Sequence, residues 1–152
     1  MAEAPPPDVM RGGLLRRYEN DFHGYERGIQ MKVIATDKAP GAIGPYSQGF
    51  IANGFVFTSG QIPVDPATGE VPEGITAQAH QSCKNVGALL EAAGAGYDKV
   101  IKTTCFLADM ADFGAFNEVY AQYFTSKPAR SCVAVKDLPK GVLCEIEAIA
   151  EA

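Results

Sequence analysis

Pro128-Ala129-Arg130-Ser131-Cys132-Val133-Ala134-Val135, then a connection through Leu138-Pro139-Lys140-Gly141, then Val142-Leu143-Cys144-Glu145-Ile146-Glu147-Ala148-Ile149-Ala150, is the stretch whose reading decides the fold. The Pro and Gly residues punctuate two extended segments, and the short connection predicts that they fold back on each other as a hairpin. In the second segment Val142, Cys144, Ile146, Ala148 and Ala150 share one face, and Leu143, Glu145, Glu147 and Ile149 share the other. Two carboxylates on a half-apolar face need a reason, and Arg130 on the partner strand supplies one. Either plausible register sets Arg130 and Cys132 across from Glu145 or Glu147. The same residues also read as a cross-strand ion pair that only steadies the sheet, worth about 0–1 kcal/mol if exposed.

Outward from there, the 152 residues amount to one domain with a core of ordinary size. A formal charge of −5 argues against a nucleic-acid surface, because phosphate binding draws on a basic patch. No stretch approaches the roughly 18 apolar residues of a membrane helix, and no apolar core of a signal peptide is present. The expectation is a cytoplasmic protein. Cys83, Cys105, Cys132 and Cys144 form no C-x-x-C pair and sit among core-type residues, as buried reduced thiols do.

Residues 1–30 differ from the rest of the chain. Ala4-Pro5-Pro6-Pro7 suits neither helix nor sheet, and Arg11 to Arg27 has no period. We read 1–30 as a flexible N-terminal extension or appended leader, and 31–152 as the domain, with Met31 as a natural start. Met31 to Ile34 is a short strand. Ala39-Pro40-Gly41-Ala42-Ile43-Gly44-Pro45-Tyr46-Ser47 is a loop of fixed shape. Gln48–Ala52 and Phe55–Ser59 flank Asn53-Gly54, the strongest short hairpin signal. Thr58-Ser59-Gly60-Gln61 ends that second strand in small residues, which let a ligand approach backbone N–H groups or simply allow a tight exit.

At Ile75 the period changes. Ile75, Ala79, Cys83, Val86, Leu90 and Ala93 step by four and three, an amphipathic helix ending at Gly94, with His80 one place off the stripe. Lys99 to Leu107 is a strand rich in β-branched and aromatic residues. A second helix follows Asp112 with Phe113, Phe116, Tyr120 and Phe124 buried and Asn117 at the edge of that stripe. Hairpin, helix, strand, helix, hairpin is a two-layer α+β domain: one mixed sheet with two helices on one face. The strands carry apolar residues at both parities, so something must cover the second face, and self-association is the economical answer. A site on the Arg130–Glu145 face then lies at or near a subunit boundary.

No phosphate loop, H-E-x-x-H or nucleophile elbow is present, and with His23 and His80 alone a metal site is not expected. What remains is an arginine near a carboxylate, a tyrosine in a Gly-Pro loop and a Ser-Gly strand end. A guanidinium is suited to bidentate recognition of a carboxylate. The residues thus point to a pocket for a small carboxylic acid, with Glu145 as hydrolytic help.

Ala42-Ile43-Gly44-Pro45-Tyr46-Ser47-Gln48, Thr58-Ser59-Gly60-Gln61-Ile62-Pro63, Pro128-Ala129-Arg130-Ser131-Cys132 and Glu145-Ile146-Glu147-Ala148-Ile149-Ala150 together resemble the RidA/YjgF family of enamine/imine deaminases. The resemblance runs from about Met31 to the C-terminus. It implies a chorismate-mutase-like fold assembled as a homotrimer, with sites in the clefts between subunits. It further implies a cofactor-independent hydrolase acting on C=N bonds, turning reactive 2-imino acids derived from 2-aminoacrylate or 2-aminocrotonate into 2-keto acids and ammonia. By the same resemblance Arg130 holds the substrate carboxylate and Glu145 positions or activates water. Tyr46, Ser59, Gly60, Asn117 and Cys132 line the pocket, Cys132 through its backbone. Two other readings stand beside it: a non-catalytic regulatory module that binds a small carboxylate, and a ribonuclease or translation inhibitor, against which the acidic composition counts.

Overall fold

The computed structural model describes residues 31–152. The expected extension over 1–30 lies outside the described residues. The first strands form a ladder: β1 (Met31–Ile34) pairs antiparallel with β2 (Gly49–Ala52), and β2 with β3 (Phe55–Thr58). Asn53 and Gly54 join β2 to β3 at φ 51° and 81°. This double left-handed turn matches the strand twist, and Asn-Gly tolerates it.

α1 (Ile75–Ala92) buries Ala79, Cys83, Val86, Leu89 and Leu90 against the sheet. It stops because Gly94 turns left-handed at φ 78°, so that Gly94 N–H reaches Glu91 O and Ala95 N–H reaches Leu90 O. These two bonds cap the last carbonyls in a Schellman arrangement. Gly87, mid-helix, has a different purpose. The Tyr97 hydroxyl donates to Cys83 O at 2.8 Å across the space its Cβ would fill. β4 (Val100–Leu107) then enters the sheet, and α2 (Phe113–Tyr123) follows, burying Phe116, Val119 and Tyr120.

The last two strands correct the sequence reading. β5 (Ala129–Ala134) and β6 (Cys144–Glu151) are not a hairpin: the strand order is β1-β2-β3-β6-β4-β5, with β4 between them. α2 carries the chain back to the start of β4, so β5 lies parallel to it on the outside edge. Residues 135–143 then pass the end of β4, where Val135 N–H donates to Leu107 O and Ala108 N–H to Leu143 O. β6 runs antiparallel to both β3 and β4. Its position follows from burial. Cys144, Ile146, Ala148 and Ala150 are each at most 3% exposed, which only an interior strand beneath the helices provides.

The sheet is mixed and both helices cover one face, as expected. On the other face Met31, Val33, Phe55, Phe57 and Val133 are exposed, and Glu145, Glu147 and Ile149 are half-buried. A recess of about 210 Å³ there is lined by Phe57, Lys102, Thr104 and Glu147 among others. Among the described residues no helix is long and apolar enough to cross a membrane.

Candidate functional site

The structure gathers the expected site residues into two groups rather than one. The first lies where β3 ends. Gly60 sits directly against the Glu145 carboxylate, and a Cβ at Gly60 would occupy the same space. Ser59 Oγ donates to Ser47 O at 2.6 Å, and Ser59 N–H donates to Gln48 O at 2.9 Å, tying the strand end to the Gly-Pro loop. The same loop presents Tyr46, half exposed at 50%, whose hydroxyl accepts from Ile43 N–H at 3.3 Å. A cavity of about 30 Å³ is lined by Tyr46, Gly60, Gln61 and Lys140 with neighbours from the loop.

Sequence reasoning misses the residue that shapes this loop. The Gln48 amide donates to Thr36 O at 3.0 Å and Pro40 O at 2.8 Å, while its oxygen accepts from Thr36 N–H at 2.8 Å. Its one available signal is an amide beside a Pro- and Gly-rich segment, whose backbone groups need partners.

Burial raises the Glu145 pKa above the ordinary carboxylate value, and the charge of Glu147 two residues along raises it further. A carboxylate so destabilised is a stronger base when ionised.

The second group lies on β5 and α2. Arg130 Nη1 donates to Asn117 Oδ1 at 2.8 Å. The guanidinium carbon stands 4.7 Å from the Tyr120 ring centroid and 5.6 Å from that of Phe113. Among the described residues the single ion pair is Lys38–Glu91 at 3.7 Å, so Arg130 has no carboxylate beside it. Cys132 shares this side of β5. Burial raises its thiol pKa, opposed by the charge of Arg130, so it is not a ready thiolate at neutral pH. Burial pushes the Cys105 and Cys144 thiols up to about 12 and about 11. By spacing alone Phe113 and Tyr120 are plain core, but Phe113 is 36% exposed at the open end of the stripe, so its expected burial is incorrect. Tyrosine in an apolar stripe is the signal that one edge of that core is polar.

The two groups do not meet within one chain. Arg130 is level with Thr103 on β4, and Glu145 is level with Phe106. Two strand spacings across and three residues along separate their Cα atoms by about 14 Å. Alternation then parts the side chains. Thr103 is buried beneath α2, so Arg130 points to the helices, while Glu145 lies opposite Ile146 and Cys144 on the open face. The expected placement of Arg130 and Cys132 across from Glu145 or Glu147 is therefore incorrect. Among the described residues no group of His, Cys, Asp and Glu is arranged to hold a metal ion.

A mixed sheet of this strand order under two helices, with a loop tyrosine, a Ser-Gly strand end and an edge-strand arginine, defines a recognisable class of small α+β domain. The crystal structure of Escherichia coli TdcF with bound serine matches this fold, with TM-score 0.77 and 52% identity over 80% of this chain and 98% of that one. So does yeast Mmf1, with TM-score 0.77 and 43% identity over 80% of this chain and 98% of that one. The family model described as Endoribonuclease L-PSP matches residues 36–152. The chain belongs to this family, RidA/YjgF, as its motifs indicated. It is 54% identical over 123 residues to the Salmonella typhimurium 2-iminobutanoate/2-iminopropanoate deaminase, covering 78% of this chain and 96% of that one.

Proposed function

We propose that this chain hydrolyses small 2-imino acids to 2-keto acids and ammonia, without a cofactor, at sites completed between subunits of a homotrimer. The observation that carries the reading is Arg130. It is a guanidinium braced by Asn117 and two aromatic rings with no protein carboxylate to satisfy it, in a chain so similar to named deaminases. Such a group receives the substrate carboxylate, and its planar fork fixes the C=N bond relative to a water. An imine, protonated on nitrogen, is already electrophilic. Glu145 takes a proton from the water as its oxygen adds to the imine carbon, giving a carbinolamine. The carboxyl group then returns the proton to nitrogen; as the C–N bond breaks and ammonia leaves, Glu145 takes the hydroxyl proton so that C=O forms, and passes it to ammonia, which departs as ammonium. Tyr46, Ser59 and the Gly60 backbone border the Glu145 side of this site, and Asn117 and Cys132 the Arg130 side.

The separation of the two groups supports association between subunits, and three as their number rests on the resemblance to the family. With Arg130 and Glu145 on opposite faces, one subunit's β5 side must meet the β3 end of its neighbour for the two to share a ligand. The apolar residues on the uncovered face favour such an association. The test generates 2-aminoacrylate with a serine dehydratase and traps the surviving imine with semicarbazide. Wild type should accelerate imine loss and Arg130→Ala should not. No acceleration by folded wild type would leave a carboxylate-binding regulator in place of an enzyme.

The family description as an endoribonuclease is the ground for a second reading. An acidic chain, with a formal charge of −5, offers a phosphate backbone little, and absence of salt-dependent RNA binding would dismiss it.

A further inference from the structure

Arg130 leaves the edge strand on the helix side and lies across α2. Phe113, Asn117 and Tyr120 are spaced four and three apart on that helix, so all meet the guanidinium from one face. Tyr120 is itself fixed at both ends. Its hydroxyl is 2.6 Å from Thr103 Oγ1, and its ring stacks on Phe124 at 4.4 Å and 25°. Thr103 is 1% exposed and is the very residue level with Arg130 on the adjacent strand. One hydrogen bond thus links the strand beneath Arg130 to the ring that supports it. A buried hydroxyl needs some partner in any case. The identity of this partner is what sets the height of the ring relative to the β5 edge.

We propose that Tyr120, tethered by Thr103, is a positioning residue for Arg130: it fixes the guanidinium plane so that the donors not used by Asn117 face the incoming carboxylate. The proposal rests on the reading of Arg130 as the carboxylate anchor. A guanidinium carries five N–H donors, and Asn117 engages only one nitrogen. A long side chain ordered before binding does not have to lose that freedom when the ligand arrives. Loosening the ring therefore weakens ligand affinity, while the proton transfers at Glu145, on the other face, proceed as before once substrate is bound. Its signature is a rise in KM and in Kd for the product keto acid at little change in kcat. A Tyr120 that served only the core would instead lower thermal stability and leave KM alone.

The experiment uses the full chain with Tyr120→Phe, Thr103→Val, the double variant, Thr103→Ser and Arg130→Ala. Affinity for 2-oxobutanoate is read by calorimetry, and KM and kcat by the trapping assay, below each variant's melting temperature. Tyr120→Phe keeps the ring and loses only the tether. The expected result is a roughly 3- to 10-fold rise in Kd and KM with kcat within about twofold. Thr103→Val should match it in Kd and KM and the double variant should add nothing to either, since the Thr103–Tyr120 bond is lost in all three; the weak Cys105 Sγ contact that Thr103→Val also removes does not reach Arg130. Thr103→Ser should restore wild-type affinity. Unchanged Kd in Tyr120→Phe and Thr103→Val, while Arg130→Ala loses binding, overturns this proposal alone. Unchanged binding in Arg130→Ala overturns the anchor reading and this proposal with it.

Discussion

Replacing Gly60 by alanine separates catalytic geometry from stability. No positive φ is required at Gly60, so alanine can adopt its backbone, and the whole effect lies in the space the new methyl takes. That methyl would overlap Glu145 Oε1 and stand 2.8 Å from Cδ and 3.1 Å from Cγ, where ordinary contacts begin at 3.4 Å. Cδ must retreat by at least about 0.6 Å, and the terminal oxygen by more than about 1 Å. The end of a flexible side chain can do this cheaply, at about 1 kcal/mol or less, because only a rotamer shift is required. The same displacement at a catalytic carboxylate costs much more in rate, since a misplacement of about 1 Å can cost 10²-fold. The expected Gly60→Ala variant folds with a melting temperature within about 4 °C of wild type. Its kcat/KM in the semicarbazide assay falls about 10- to 100-fold. Combined with Glu145→Gln it should lose nothing further, because both changes remove one group's action. A kcat/KM within twofold of wild type would refute the placement of Glu145 in the reaction.

Three other perturbations probe the same structure. Gly87→Ala puts a methyl on the Tyr97 hydroxyl and ring, and overpacking of that kind costs about 1–3 kcal/mol, read as a lower urea midpoint with unchanged kcat per folded site. Gln48→Ala strips buried partners from Thr36 and Pro40, at about 1–3 kcal/mol, and should raise hydrogen exchange through the Tyr46 loop more than in the helices. The Glu145 pKa is raised, so the acid limb of kcat/KM should fall above the ordinary carboxylate range. Removing the neighbouring charge in Glu147→Gln should move that limb to lower pH. The raised value also means that the folded state holds a proton the unfolded state has released. Stability therefore declines as pH rises from the ordinary Glu pKa through that of Glu145, and Glu145→Gln should abolish this decline in pH-dependent urea unfolding.

Local signals are legible wherever one residue pair fixes the backbone. Asn53-Gly54 marks the β2–β3 turn, Gly94 the end of α1, and the Phe116/Tyr120/Phe124 spacing the buried face of α2. The order of strands is not legible in this way. Alternation in Cys144 to Ala150 states which side chains are buried, but not which strand lies alongside. The short connection suggests β5 as the partner of β6. The sheet instead gains more by placing the strand with a fully apolar face in its interior and leaving β5, whose Ala129, Ser131, Val133 and Ala134 are exposed, at the edge. The same gap in information misplaces the site. The motifs single out Arg130 and Glu145, yet their opposite facing becomes visible only once β4 lies between them. Asn117 could be placed at the stripe's edge by spacing, whereas its bond to Arg130 depends on the parallel β4–α2–β5 crossover.

The central claim, that two half-sites on opposite faces of one chain complete each other between subunits, is tested most directly by complementation. Arg130→Ala and Glu145→Gln chains, each inactive alone, are coexpressed with different tags, and mixed assemblies are purified through both. If one subunit's Arg130 serves its neighbour's Glu145, each mixed trimer has one interface of three that joins two native groups, and about a third of wild-type activity is restored. Mixed assemblies as inactive as either parent would contradict the shared site.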